Sequence, residues 1–127
     1  MIAGCRLICS GLFDRFPSIQ VLLVHGGGHL PYQLGRLRHA ISVRKELAGA
    51  PTDPWIYAKR MNFDCLTHDA QALAYLVERV GINNVFVGTD LPFDMASPKP
   101  TTTLRAAVGE AAAKQIADNA ASRFGCA

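Results

Sequence analysis

The chain alternates between stretches with a helical period of apolar residues and short, nearly continuous apolar runs. Apolar side chains recur every three to four positions over residues 2 to 16, which predicts a helix that ends before Pro17. The same period predicts helices over residues 30 to 47 and 67 to 81. An alanine-rich tail beyond Pro100 predicts further short helices.

Capping residues mark the ends of these helices. Thr67 or Asp69 can cap the helix over residues 67 to 81, because a short polar side chain can accept a hydrogen bond from a free backbone N–H of the first turn. Gly81 is suited to end that helix. In the alanine-rich tail, breaks are expected near Gly109 and around Asn119.

Three apolar runs have the length and composition of strands that are buried on both faces. They are SIQVLLVH (residues 18 to 25), MNFDCL (61 to 66) and NNVFVGTD (83 to 90). Residues 48 to 59 carry two prolines and a glycine, which predicts an irregular loop before the second strand.

Helices and strands therefore alternate, and this order is typical of an α/β domain with a parallel sheet and right-handed crossovers. Three strands make a small sheet with an open edge and an exposed face, so the chain is expected to associate. The apolar stripe of the first helix calls for a preceding strand. We therefore expect residues 1 to 127 to be a single incomplete domain of a longer protein.

Composition narrows the functional class only slightly. The chain has 127 residues, of which 50% are hydrophobic and 18% are charged, as in one globular domain. The net charge of +3 is small and the basic residues are dispersed, so no nucleic-acid surface is expected. No apolar run approaches the roughly 20 residues that span a bilayer, so no membrane contact is expected.

The cysteines form neither a zinc motif nor a disulfide framework. Cys5, Cys9, Cys65 and Cys126 are scattered, and this spacing favours a reducing, cytoplasmic setting. Cys5 and Cys9 lie one helical turn apart, but no neighbouring residue completes a metal site, and buried small apolar residues are the favoured interpretation.

Polar residues with useful chemistry follow the predicted strands. His25 ends the first strand, Asp64 lies in the second with His68 just beyond it, and Asp90 follows the third. Because the carboxyl ends of parallel strands meet at one rim, these four side chains are expected to lie near one another. Asp64, His68 and Asp69 are explained adequately by strand-end hydrogen bonds and helix capping.

His25 stands where an apolar strand meets three consecutive glycines. An imidazole at such a place can act as general acid and base, and Gly26 and Gly27 allow a substrate to approach closely. The alternative is a histidine that donates to a loop carbonyl. Two further interpretations are weaker. His25 and His29 have the spacing of helical zinc ligands, but glycines fill the interval, and the glycine run lacks the register of a phosphate-binding loop.

Asp90 and Arg36 each have a functional and an ordinary interpretation. Asp90, in GTD, is placed as a metal ligand or proton acceptor would be, although an aspartate before Leu-Pro is equally an ordinary turn residue. Arg36 lies on the helix after the glycines. Its guanidinium could clamp a carboxylate, although a solvated helix surface is the ordinary place for an arginine.

The segments GLFDRFPSIQVLLVHGGGHLPYQLGRLRHA, FDCLTHDAQALAYLVERVGINNVFVGTDLPF and ADNAASRFG together strongly resemble a known family. They are similar to the carboxyl-terminal half of metal-dependent decarboxylases of the amidohydrolase superfamily, such as the aminocarboxymuconate semialdehyde and resorcylate types. The resemblance implies a (β/α)8 barrel in which the three strands are the sixth, seventh and eighth.

The resemblance also assigns roles to individual residues. It implies that His25 is the general acid and base and that Asp90 ligates the metal, usually zinc. Arg36 would reach across a homodimer interface to hold the carboxylate of a small-molecule substrate, and Phe93 would line the substrate pocket. The implied reaction is a non-oxidative decarboxylation, with hydrolysis as the alternative within the same superfamily.

The family's metal site also needs a His-x-His on the first strand and a further histidine on the fifth. The sequence has only four histidines and no His-x-His. One carboxylate and one imidazole do not hold a catalytic metal, which needs three protein ligands. Two functional hypotheses follow: the chain is part of a metalloenzyme that is inactive without its other strands, or it is a non-catalytic interaction module.

Overall fold

Three parallel strands form the centre of the fold in the computed structural model, which describes residues 2 to 125. The strands are β1 (Leu22–Leu23), β2 (Asn62–Asp64) and β3 (Val85–Phe86), and they lie side by side in the order β1-β2-β3. Neighbouring strands pair in parallel, Leu23 with Phe63 and Phe63 with Val85. Residues in register share a face of the sheet, so these three side chains point the same way.

Helices connect and flank the strands, as a parallel sheet requires. They are α1 (Ile2–Cys9), α2 (Leu12–Arg15), α3 (Leu30–Val43), α4 (Pro54–Ala58), α5 (Ala70–Val80), α6 (Pro100–Val108) and α7 (Glu110–Phe124). Short 3₁₀ turns lie at His25–Gly27, Lys45–Leu47 and Ile82–Asn84.

The core lies between the helices and one face of the sheet. Phe63 and Val85 are fully buried there, together with apolar helix residues, among them Ile8, Phe13, Leu34, Leu73, Leu104 and Ile116. The other face of β1 is open: Leu22 is 53% exposed, and Val24 just beyond the strand is 57% exposed. The sheet is therefore covered on one side and bare at β1 on the other.

The structure confirms the α/β class, the three parallel strands and several helix ends. The carboxylate of Asp69 accepts a hydrogen bond from the backbone N–H of Ala72 at 2.7 Å and so caps α5. Gly81 ends α5 with a φ of 92°, and Gly109 separates α6 from α7 with a φ of 80°. Both values favour glycine, because a Cβ disfavours this region. No helix within residues 2 to 125 has the length and apolar character to cross a bilayer.

The predicted strands were too long. Only two or three residues of each apolar run pair in the sheet, and the rest are extended segments or 3₁₀ turns. His25 therefore does not end β1 but follows it, in the turn His25–Gly27. The apolar runs predicted burial correctly for β2 and β3, but burial alone does not fix how many residues find a strand partner.

Three helix predictions also need correction. The first helix breaks at Gly11, which is left-handed with a φ of 68°, and resumes as α2. The helix predicted to reach Leu47 ends at Val43, and a separate 3₁₀ turn follows at Lys45–Leu47. The predicted loop over residues 48 to 59 contains α4, where Asp53 caps the first turn by accepting from the N–H of Trp55 at 3.1 Å.

Asn119 does not break the last helix. Its side-chain amide donates to the carbonyl oxygens of Ile82 at 2.8 Å and of Val85 at 2.7 Å, while the backbone of α7 continues to Phe124. The amide thus joins α7 to the segment that enters β3, and Asn119 is only 8% exposed. Cys126 lies outside the described residues.

We expect Asn119→Ala to lower the free energy of unfolding by about 1–3 kcal/mol, because two carbonyl groups lose their donor in a buried place. Urea denaturation followed by circular dichroism measures the change. Ser122→Ala on the same helix is the matched control, because Ser122 is exposed and its loss should leave stability nearly unchanged. Equal unfolding midpoints for the two variants would contradict this role of Asn119.

Candidate active site

The turn after β1 is built from residues with left-handed backbone. His25, Gly26, Gly27 and Gly28 all have positive φ values, between 57° and 75°. Gly26 and Gly27 are buried, and a Cβ on Gly27 would lie 2.7 Å from the ring of Phe63. A Cβ on Gly26 would lie 2.8 Å from the methyl group of Thr67. The glycines are therefore needed for packing, and substrate contact at Gly26 and Gly27 stays a prediction.

A hydrogen bond to Asp64 holds this turn against the end of β2. Its Oδ1 accepts hydrogen bonds from the backbone N–H of Gly26 at 2.8 Å and of Leu66 at 3.1 Å, and the residue is 5% exposed. A Cβ on Gly88, just beyond β3, would lie 2.9 Å from the Cβ of Asp64. Asp64 thus brings the ends of all three strands together, and the predicted strand-end hydrogen bond is confirmed.

His25 and Asp90 meet at this rim. The Nε2 of His25 lies 3.4 Å from the Oδ1 of Asp90, within ion-pair distance when the imidazole is protonated. The side chain of His25 is 58% exposed and that of Asp90 is 24% exposed. An accessible imidazole beside a carboxylate can take up and release a proton.

Three residues at this rim have strained backbone. His25, His68 and Asp90 have φ values of 57°, 55° and 59°, and each follows a different strand. The left-handed region costs an ordinary residue roughly 1–2 kcal/mol relative to a right-handed conformation. Such outliers cluster at functional sites, where the surrounding structure holds them in place.

The other predicted site residues lie further out. Arg36 is exposed on α3. Phe93 lies on the loop after β3 and is 67% exposed. The structure thus brings together His25 and Asp90, while the side chains of Arg36 and Phe93 are exposed to solvent.

A resident metal ion does not fit these residues alone. No group of three or more His, Cys, Asp or Glu side chains within residues 2 to 125 is arranged to hold one. His25 and Asp90 provide two donors, whereas catalytic zinc takes three protein ligands. Burial raises the pKa of the Cys65 thiol, although a backbone hydrogen bond with Gly88 opposes this, so the protonated thiol is favoured.

The sequence did not reveal a pocket beside His25. This α3–α5 pocket has a volume of about 580 Å³, and its lining includes His25, His29, Tyr32, Leu66, Thr67 and Tyr75. Tyr32 and Tyr75 are 43 positions apart in the chain, and their ring centroids lie 6.5 Å apart. In the sequence, the sign of this pocket is one tyrosine on each of the two helices, outside the apolar stripe. Tyrosines at such positions also occur on ordinary helix surfaces.

A family model described as Amidohydrolase matches residues 1–124. The chain belongs to the amidohydrolase family. The 2-amino-3-carboxymuconate-6-semialdehyde decarboxylase of Dictyostelium discoideum is 37% identical to this amidohydrolase chain over 101 residues. That match covers 78% of the chain and 28% of the Dictyostelium protein.

Solved structures show the same relationship. The 5-carboxyvanillate decarboxylase of Sphingomonas paucimobilis superposes with a TM-score of 0.83 at 30% identity, over 99% of this chain and 39% of that one. The 5-carboxyvanillate decarboxylase of Novosphingobium aromaticivorans, complexed with manganese and a nitrobenzoic acid, gives a TM-score of 0.76 at 25% identity, over 96% and 37%. This chain therefore spans about two fifths of the length of these structures or less.

We expect Gly27→Ala to lower the free energy of unfolding by about 2–4 kcal/mol, because the new methyl group meets the Phe63 ring and strains a left-handed residue. Gly35→Ala in α3 is the control, since a methyl group there would meet no neighbouring side chain within 4 Å. That change should raise stability by up to about 1 kcal/mol through helix propensity. Thermal unfolding of both variants measures the difference, and equal shifts would contradict the packing argument.

Proposed function

We propose that this chain supplies the carboxyl-terminal strands of a (β/α)8 barrel, equivalent to strands six to eight, in a metal-dependent decarboxylase. The proposed reaction is the non-oxidative decarboxylation of a small carboxylated aromatic or muconate-type substrate. The observation that carries the proposal is the His25–Asp90 pair, 3.4 Å apart at the carboxyl ends of two strands. Barrel enzymes place their chemistry at that end, and the relatives named above are decarboxylases.

In this proposal His25 transfers the proton. The bond between the substrate carbon and its carboxylate breaks, carbon dioxide leaves, and the electron pair left on carbon takes a proton from the protonated imidazole, which then regains a proton from water. In a homodimer, Arg36 binds the carboxylate of the substrate that lies in the neighbouring subunit. The exposed position of Arg36 on α3 permits this contact. Phe93 lines the site once the remaining strands surround it.

Asp90 is the one carboxylate ligand that the chain contributes to a divalent metal ion, and the other ligands come from strands outside it. Manganese is named for the Novosphingobium structure. We therefore place manganese ahead of zinc, the metal that the family resemblance implies. His25 and Asp90 alone should bind either ion only weakly.

A chimera tests the proposal. Residues 2 to 125 replace the matching part of the Sphingomonas 5-carboxyvanillate decarboxylase, and release of carbon dioxide from 5-carboxyvanillate is measured with manganese. The chimera should be active and the chain alone inactive. His25→Asn and Asp90→Asn should each lower kcat by at least about 100-fold, the scale of general acid–base and metal contributions.

Asp94→Asn is the matched control, because Asp94 is exposed on the same loop as Asp90, and its replacement should leave kcat unchanged. A folded, manganese-loaded chimera without turnover would refute the proposed function. Full activity of the His25→Asn chimera would refute the role given to His25.

A further inference from the structure

The α3–α5 pocket is suited to a small planar molecule. Its volume of about 580 Å³ falls in the range of ligand-binding pockets. An engineered cavity of about 150 Å³ already admits benzene, so the pocket has room for a ring with substituents. Its apolar wall consists of Pro31, Leu66, Ala72, Leu76 and the two tyrosine rings.

The two tyrosines form an aromatic edge to this wall. Their rings are tilted by 60° to one another. The hydroxyl of Tyr75 donates to the carbonyl of Pro31 at 3.4 Å, which turns its polar end toward α3. Tyr32 is 76% exposed, so its ring can lie against a ligand without loss of core packing. Aromatic pairs stabilise each other beyond simple area burial.

Two imidazoles line the same pocket. His25 and His29 both line it, and each can donate a hydrogen bond to an oxygen atom of a ligand. His25 also contacts Asp90. The pocket therefore joins an apolar, partly aromatic wall to the group proposed to move the proton.

We propose that the α3–α5 pocket binds the ring of an aromatic carboxylate, with Tyr32 against the ring and the two histidines near its oxygen atoms. The choice of ligand rests on the proposed function. This assignment makes Tyr32, rather than Phe93, the aromatic residue that selects planar rings. Phe93 does not line this pocket.

Binding of benzoate and cyclohexanecarboxylate to the 127-residue chain tests this inference. The two probes share a carboxylate but differ in the planarity of the ring. Ligand-observed NMR titration should show saturable binding of benzoate, with cyclohexanecarboxylate at least about 5-fold weaker. Tyr32→Ala should weaken benzoate binding by about 5- to 10-fold, the scale of one aromatic contact, and Tyr32→Phe should keep it.

Phe16→Ala is the control and should bind benzoate as the parent chain does, because Phe16 is 53% exposed and does not line this pocket. Circular dichroism verifies that each variant is folded. Absence of benzoate binding, equal affinity for both probes, or an equal loss of benzoate binding in Phe16→Ala and Tyr32→Ala would each overturn the assignment. These outcomes are independent of turnover in the chimera: an inactive chimera with the expected benzoate pattern refutes the proposed function and leaves the pocket intact.

Discussion

The hydrogen bonds of Asp64 hold the turn after β1 against the end of β2. A buried carboxyl group is costly unless donors satisfy it, and the backbone N–H groups of Gly26 and Leu66 do so. One of these donors belongs to the turn after β1 and the other to the loop after β2. Since His25 precedes Gly26 directly, the same bond that satisfies Asp64 also sets where the imidazole lies.

The close approach of three segments follows from this bond. Gly26, Gly27 and Gly88 each lie where a methyl group would collide with a neighbouring side chain. Small residues therefore surround Asp64 on both sides, and the turn can sit directly on β2. The chemistry of the rim thus depends on residues that have no reactive groups of their own.

The sequence predicted most features that depend on nearby residues. Asp69 and Gly81 bound α5 as expected, because a cap and a helix stop act within a few positions. A local signal also marked α4, where Pro54 at the first helical position follows a capping Asp53, but the prolines nearby favoured a loop. The helix break predicted around Asn119 was wrong because the side chain takes part in a long-range interaction. Its amide donates to Ile82 before β3 and to Val85 in β3, both more than 30 positions away, and the helix continues through Asn119.

The candidate site was likewise predicted only in part. Strand order alone predicted that His25 and Asp90 share a rim, because parallel strands end on one side. The 3.4 Å contact between them depends on how the turn after β1 and the loop after β3 fold. The pairing of Tyr32 with Tyr75 depends on how α3 and α5 pack, and no local pattern encodes either distance. The strand lengths were misjudged because apolar runs report burial and not pairing.

The left-handed backbone at His25, His68 and Asp90 has an evolutionary consequence. Glycine at these positions would relieve up to about 1–2 kcal/mol of conformational strain, and less at Asp90, because a short polar side chain tolerates this region. The entropic cost of glycine is about 0.5–1 kcal/mol. Folding alone therefore slightly favours glycine where chemistry needs a side chain. In lineages that carry out the proposed reaction, His25 and Asp90 should resist replacement, whereas in a decaying gene these two residues and His68 should be among the first to drift to glycine.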